Sequence, residues 1–127
     1  MTRIASCSCG QLKIRCENEP TKVSLCHCLE CQRRTGSTFG IAAFFDAAST
    51  EIIGSSSSYQ RTSDSGFPVT LHFCGACGST VYWYPMRKPE AVAVAVGCFA
   101  DPAFPAPSQA VYSEHRHDWV ITPTSKP

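Results

Sequence analysis

A chain of 127 residues is long enough for one domain and too short for two ordinary ones. Its formal net charge of +1 comes without a basic block, which argues against a nucleic-acid-binding protein, because phosphate binding needs a concentrated cationic face. No stretch approaches about 18 apolar residues and the N-terminus lacks a signal-peptide apolar region, so we expect no membrane span and a cytoplasmic protein.

The first half of the chain predicts short strands around one helical turn. Polar and apolar residues alternate in most of these segments, which is typical of half-buried strands. The predicted strands cover residues 10–16, 22–26, 39–45 and 51–54. Residues 28–34 fit a helical turn better than a strand, and Gly36 directly after them is typical of a helix end.

The second half predicts further strands and no long helix. Polar loops are expected at residues 55–58 and 63–66, on either side of a short strand at residues 59–62. The remaining predicted strands cover residues 69–73, 79–84, 91–96 and 110–112. Roughly eight or nine short strands with one or two helical turns predict an all-β fold, and no internal boundary divides residues 1–127.

Seven of the nine cysteines fall into three tight clusters. In the reducing cytosol, clustered cysteines indicate metal binding or catalysis rather than disulfides. The clusters are Cys7-Ser8-Cys9, Cys26-His27-Cys28-Leu29-Glu30-Cys31 and Cys74-Gly75-Ala76-Cys77. Seven thiols divide into a set of four and a set of three. A four-thiolate zinc site is closed and structural, whereas a three-ligand site keeps one position open for water or substrate.

The pair Cys74 and Cys77 has the spacing and flanking glycines of a structural zinc knuckle between two strands. A thioredoxin-like redox motif is disfavoured because it needs a βαβ context. The knuckle supplies two of the four ligands of a tetrahedral site. Cys7 and Cys9 are the natural other half, since they lead into the first predicted strand, which could lie beside the hairpin.

The candidate catalytic residues are Cys26, Cys28 and Cys31. The first two have the i, i+2 spacing that places side chains on the same side of an extended segment, and the third follows after a helical turn. Zinc held by three thiolates would take a fourth ligand and could activate a bound water or a substrate thiol. His27 should face away from the ion.

The alternative is a second structural zinc site, completed by Cys98, Cys16 or a histidine, in a non-catalytic module that acts in protein interaction. Cys16 and Cys98 themselves lie in strand-like surroundings and are best interpreted as buried, inert thiols. His115 and His117 are expected in an exposed charged turn.

Arg33 and Arg34 directly follow the three-cysteine cluster. They could offset its negative charge and bind substrate carboxylates, although an ordinary solvated helix face explains them equally well. Trp119 is expected to be a core or interface anchor.

The cysteine pattern resembles the glutathione-dependent formaldehyde-activating enzyme family, which also includes centromere protein V. The resemblance covers nearly the whole chain. It rests on Cys7-Ser8-Cys9-Gly10, on Cys26-His27-Cys28-x-x-Cys31-Gln32-Arg33 with Gly36-Ser37, on Phe73-Cys74-Gly75-x-Cys77-Gly78-Ser79 and on Gly97-Cys98-Phe99-x-Asp101-Pro102.

The resemblance implies a zinc-stabilised β-tent, in which two small β-sheets lean together, and two zinc ions. The structural ion would be held by Cys7, Cys9, Cys74 and Cys77, and the catalytic ion by Cys26, Cys28 and Cys31. The activity it implies is the condensation of formaldehyde with glutathione to S-hydroxymethylglutathione, classed as a carbon–sulfur lyase in the reverse sense. The glutathione sulfur would bind at the open zinc position and add to the aldehyde carbon. Our own inference, and no family motif, is that Arg33 or Arg34 holds a glutathione carboxylate.

Overall fold

The computed structural model describes residues 1–63 and 66–124, and this part of the chain is built almost entirely of strands. Its one α-helix, α1, spans Leu29–Thr35, and 3-10 turns lie at Ala47–Ser49, Val96–Phe99 and Ser113–His115. The strands are β1 (Thr2–Ser6), β2 (Lys13–Glu17), β3 (Lys22–Cys26), β4 (Gly40–Asp46), β5 (Thr50–Ile53), β6 (Ser57–Arg61), β7 (Val69–Phe73), β8 (Thr80–Pro85), β9 (Ala91–Ala95) and β10 (Gln109–Val111). The predicted all-β class is confirmed.

The strands form two sheets of unequal size. The smaller has the order β1-β2-β5, and the larger has the order β10-β3-β4-β9-β8-β7-β6. Neighbouring strands are antiparallel, except that β10 runs parallel to β3 at the edge of the larger sheet. The prediction of two sheets is therefore confirmed as well.

The core lies where the two sheets face each other. Leu12, Ile14 and Cys16 on the small-sheet side are fully buried, as the alternation in this segment predicts. They belong to the same cluster as Phe45 of β4 and Val94 of β9. Burial of such side chains stabilises a fold by about 1.5–3 kcal/mol each. This packing fixes the angle between the sheets and so positions the loops at their ends.

Two strands differ from the prediction. β1 gives no signal because Ala5 is its only fully buried residue, yet it pairs with β2 over its whole length. β6 begins at Ser57, inside the expected serine loop, because antiparallel pairing with β7 orders this exposed edge strand. Of the second polar loop, residues 64 and 65 lie outside the described part of the chain.

Within residues 1–63 and 66–124, no helix has the length and apolar character needed to cross a membrane.

Candidate metal centres and adjoining cavities

Four cysteines meet where the tips of two hairpins approach each other. Cys7 and Cys9 lie in the turn between β1 and β2, and Cys74 and Cys77 lie in the turn between β7 and β8. The first hairpin belongs to the small sheet and the second to the large one. Hydrogen bonds between Ser8 and Ser79 join the two turns directly. The four-cysteine cluster therefore ties the two sheets together.

The sulfur geometry of this cluster fits a tetrahedral metal ion. The Sγ atoms of Cys7 and Cys9 are 3.7 Å apart, and those of Cys9 and Cys74 are 3.6 Å apart. A tetrahedron with zinc–sulfur bonds of about 2.3 Å has sulfur–sulfur edges of about 3.8 Å. The donor set is therefore the right size and the right chemistry for zinc.

Backbone and side-chain donors already stabilise thiolates in this cluster. The backbone N–H of Ser79 is the main cause that lowers the pKa of Cys77, to about 5. The backbone N–H of Cys77 and the side-chain amide of Gln11 lower the pKa of Cys74. Because thiolates, not thiols, ligate metal ions, these donors favour binding.

Gln11 contacts the four-cysteine cluster without being one of its potential ligands. Its Nε2 donates to Cys74 Sγ at 3.2 Å and to the carbonyl of Ser55 at 2.6 Å. Gly54 lets the chain approach closely here, since it has φ +92° and an added Cβ would overlap the Gln11 carbonyl. Such outer contacts orient metal ligands.

Replacing Gln11 with alanine is therefore expected to weaken zinc binding at the four-cysteine cluster by about 10–100-fold. The measurement is a competition titration with a chromophoric chelator. Gln60→Ala, at an exposed glutamine of β6, is the matched control and should bind zinc as tightly as the unchanged chain. Equal affinities of the Gln11 and Gln60 variants would contradict the role of Gln11.

The three-cysteine cluster is built at the junction of β3 and α1. Cys26 is the last residue of β3, Cys28 is the N-cap of α1 and Cys31 lies in its first turn. The backbone N–H of Cys31 donates to Cys28 Sγ at 3.3 Å, and the backbone N–H of Cys28 donates to Cys26 Sγ at 3.5 Å. The helix ends as predicted, with Gly36 in the left-handed conformation.

The three Sγ atoms lie within 4.8 Å of one another. A hydrogen bond from the Cys26 thiol lowers the pKa of Cys28, and the same contact raises the pKa of Cys26. This contact therefore favours the thiolate form of Cys28. Three sulfurs at this spacing fit the open form of a zinc site.

Among the described residues, no fourth Cys, His, Asp or Glu joins the three-cysteine cluster. Cys16 is fully buried in β2, where burial raises the pKa of its thiol to about 11. Cys98 is half-buried and donates to the carbonyl of Thr80. His27 is 1% exposed and packs edge-on against Phe39, so it faces neither the cluster nor the solvent.

The three-cysteine cluster opens onto a cavity of about 190 Å³, which we call the thiolate pocket. Arg61 of β6 and Arg87 of the loop after β8 line it together with all three cysteines. Arg61 Nε is buried without a hydrogen-bond partner in the described part of the chain, and the Arg61 charge further lowers the pKa of Cys28. The pocket thus brings the three cysteines together with two arginine side chains.

A second cavity of about 180 Å³, the inner pocket, adjoins the same cluster. It shares four lining residues with the thiolate pocket, namely Cys26, Cys31, Phe44 and Trp83. Arg34 lines the inner pocket and also a larger open groove of about 610 Å³ beyond it. The arginine therefore stands between the groove and the cysteines.

The two arginines of α1 have different surroundings. Arg33 is 71% exposed and forms an ion pair of 2.9 Å with Glu30, whose side chain lines the thiolate pocket. Arg34 instead turns inward, with its Cζ atom 4.5 Å from the centre of the Trp83 ring. Whether either arginine binds a substrate stays a prediction.

The C-terminal segment contacts α1 through Gln32. This side chain donates to the carbonyls of His27 and His115 and is 2.9 Å from His117 Nε2. Neither His115 nor His117 belongs to a potential metal cluster of the described residues. Trp119 is 73% exposed, so it is not a core anchor, and the alternative role of an interface anchor stays a prediction.

Arg61, Arg87 and Trp83 are pocket residues that the sequence did not indicate. They come from three separate segments, and nothing in their local pattern marks them. Gly40 could have been identified from the sequence, because an isolated glycine in a strand often marks a place where another group approaches the backbone closely.

Comparison with known proteins agrees with the cysteine geometry. Residues 2–115 match the sequence model of the family described as "Glutathione-dependent formaldehyde-activating enzyme". The chain is 30% identical over 122 residues to a protein of Halomonas elongata named "Putative glutathione-dependent formaldehyde-activating enzyme", a match that covers 91% of this chain and 77% of the relative. A crystal structure of a Rhodobacter sphaeroides protein has a TM-score of 0.63 at 22% identity, covering 84% of this chain and 98% of the other. This last likeness shows a shared fold.

Proposed function

The chain belongs to the glutathione-dependent formaldehyde-activating enzyme family, and we propose on this basis that it is a zinc-dependent enzyme that joins a thiol to an aldehyde. In the reverse direction this reaction is that of a carbon–sulfur lyase. Glutathione and formaldehyde are the first substrates to test, because the family and the Halomonas relative carry these names.

One observation carries the proposal. Cys26, Cys28 and Cys31 form a three-sulfur cluster that lines a cavity, and no fourth ligand from the described residues closes it. A closed four-ligand site serves structure, whereas a site with an open position serves chemistry. The other cluster, with four sulfurs between two sheets, has the structural arrangement.

In this proposal Cys26, Cys28 and Cys31 hold the catalytic zinc, while Cys7, Cys9, Cys74 and Cys77 hold the structural zinc. Zinc at the three-cysteine cluster would supply a coordination position for a sulfur atom and positive charge that lowers the pKa of a thiol.

The chain's own residues select and hold the substrate. Arg61 and Arg87 face the thiolate pocket, so a thiol that carries carboxylates, as glutathione does, would bind there through charge-assisted hydrogen bonds. The Arg87 guanidinium lies over the Phe67 ring, and Phe67 and Trp83 give the pocket apolar walls. Arg33, which is paired with Glu30, would add positive charge near the thiolate pocket.

The reaction balances without a further reactant. The substrate sulfur adds to the carbonyl carbon, a carbon–sulfur bond forms and the carbonyl π bond breaks. The electron pair moves to the oxygen, which takes up the proton lost by the thiol. The product is a hemithioacetal.

The competing proposal is a non-catalytic module with two structural zinc ions. That residues 1–127 form one zinc-binding domain, and that the protein works in the cytosol, stay predictions. The two functions differ in their metal chemistry, because an open three-ligand site should lose zinc to a chelator before a closed site does.

The deciding experiment combines metal analysis with an activity screen. We expect two zinc ions per chain, one of them removed first by a graded chelator, and formaldehyde consumption that needs both a thiol and this first zinc. Because thiols add to formaldehyde unaided, the same mixture without protein is the control. A rate equal to that control with every thiol tested would rule out the enzyme.

A further inference from the structure

Arg34 is held in place by an aromatic ring and by the backbone of β4, without an ion pair among the described residues. Its guanidinium stacks on the Trp83 ring, with 4.5 Å from Cζ to the ring centre. It lies over Gly40, where an added Cβ would come within 2.5 Å of Arg34 Nη2 and 3.5 Å of Cys31 Cβ. Gly40 in turn pairs directly with Cys26 across β3 and β4. The guanidinium is therefore beside the three-cysteine cluster.

The Nε–H of Arg34 is a buried donor without an acceptor among the described residues. No carboxylate in the described chain forms an ion pair with this side chain, in contrast to Arg33 and Glu30. Leaving a buried donor unsatisfied destabilises a folded protein, and the cost is larger for a charged group. Such a donor is expected where a ligand supplies the acceptor.

Arg34 lines the inner pocket, so an acceptor bound in that cavity would lie beside its guanidinium. Cys26 and Cys31 line the same cavity, and Ala42, Phe44 and Val111 supply apolar walls. Its volume of about 180 Å³ greatly exceeds that of formaldehyde, whose two heavy atoms need roughly twice the 30 Å³ of a water molecule. The space suits an aldehyde with a small apolar substituent.

We propose that Arg34 is a catalytic residue that stabilises the oxyanion formed when a thiol adds to an aldehyde, and that the inner pocket accepts small aliphatic aldehydes larger than formaldehyde. This inference rests on the proposed function. As the sulfur–carbon bond forms and the carbonyl π bond breaks, the negative charge on the oxygen is met by a donor that is already oriented by Trp83 and Gly40. Arg34 donates a hydrogen bond and keeps its proton, while the thiol proton ends on the product oxygen.

Preorganised donors of this kind lower the barrier because they need no rearrangement during the reaction. Loss of one oxyanion donor typically lowers kcat by about 10²–10³-fold. Since the donor acts on the charge that develops in the transition state, kcat should fall and the KM of the thiol should change little.

The activity test compares the zinc-loaded chain with Arg34→Gln, Arg34→Lys and Gly40→Ala. We expect kcat to fall by about 10²-fold or more in Arg34→Gln, with little recovery in Arg34→Lys because the Nε donor is not replaced. Gly40→Ala should also lower kcat, since the new methyl group displaces only the flexible end of Arg34. Arg3→Gln is the matched control, because it removes an arginine of β1 that stacks on Phe104 and lines neither the inner pocket nor the thiolate pocket.

The substrate test compares formaldehyde with acetaldehyde, propionaldehyde and isobutyraldehyde. We expect kcat/KM, relative to the uncatalysed rate of each aldehyde, to be higher for the aliphatic aldehydes than for formaldehyde. A preference for formaldehyde alone would overturn the assignment of the inner pocket.

A binding test needs no turnover. Isobutyrate presents an oxyanion and a small apolar group, and in a Trp119→Phe background the remaining tryptophan, Trp83, reports on the inner pocket. We expect saturable quenching by isobutyrate that Arg34→Gln abolishes. Quenching that is absent, or equal in both proteins, would overturn the role of Arg34.

The outcomes separate the two proposals. If the unchanged chain shows no thiol-dependent turnover of any aldehyde, the proposed function fails and the catalytic role of Arg34 fails with it. If turnover is present and Arg34→Gln retains it, only the role of Arg34 is overturned.

Discussion

Replacing Cys28 with serine is expected to lower thiol-dependent aldehyde consumption by at least about 100-fold while the chain remains folded. Loss of an outer contact to a metal ligand already costs about 10–100-fold, so loss of the ligand itself should cost at least the upper figure. The fold should survive because Cys28 is also the N-cap of α1, and serine is a preferred N-cap that can accept from the backbone N–H of Cys31.

The choice of serine separates chemistry from folding. Cys28→Ala would remove the cap as well and cost about 0.5–2 kcal/mol of stability. The measurements are the formaldehyde consumption rate above the protein-free background, zinc content and the thermal melt. Cys98→Ser, at a half-buried cysteine outside both clusters, should keep the rate and both zinc ions. A Cys28→Ser variant that unfolds would instead favour the non-catalytic module, and one that retains full activity would refute the enzyme.

Replacing Cys74 with alanine is expected to abolish cooperative folding. Cys74 is fully buried and contributes a sulfur to the cluster that joins the two hairpin tips. Structural zinc sites have apparent binding free energies of about 10–16 kcal/mol, which is comparable to the whole stability of an ordinary domain at about 5–15 kcal/mol. Loss of one of four ligands should therefore remove most of the stability.

The measurement for Cys74→Ala is a thermal melt followed by circular dichroism, in the presence of zinc. Cys16→Ala is the matched control, since it removes another fully buried cysteine that belongs to neither cluster. We expect the control to melt cooperatively within a few degrees of the unchanged chain. Identical melts for the two variants would show that the four-cysteine cluster does not hold the sheets together.

Strands were predicted correctly from the sequence where one face of the segment is buried. The alternation around Ile14 and Cys16 is the direct consequence of a strand with one face on the core. β1 and the first two residues of β6 lack this pattern, because β1 buries only Ala5 fully and β6 is an exposed edge strand, of which the sequence predicts only the part from residue 59 onward. Their order comes from hydrogen bonds to β2 and β7, which no local pattern records.

The same distinction holds for the candidate sites. Within each of the three short cysteine motifs, neighbouring cysteines are separated by one or two residues, so local backbone geometry brings their sulfurs together, as in the N–H contact from Cys31 to Cys28. The sequence alone therefore determined the three cysteine motifs and the helix that begins in the second of them. The contact between Cys9 and Cys74, which are 65 residues apart, required the packing of one sheet on the other.

The tertiary structure alone decided what surrounds the three-cysteine cluster. Arg33 and Arg34 are neighbours in sequence, but successive residues of a helix point about 100° apart, so one reaches solvent and the other reaches Trp83. Arg61 and Arg87 enter the thiolate pocket from β6 and from the loop after β8. Metal-ligand spacing is a local property of the chain and can be read from it, whereas a pocket is a property of segments that meet only after the sheets have formed.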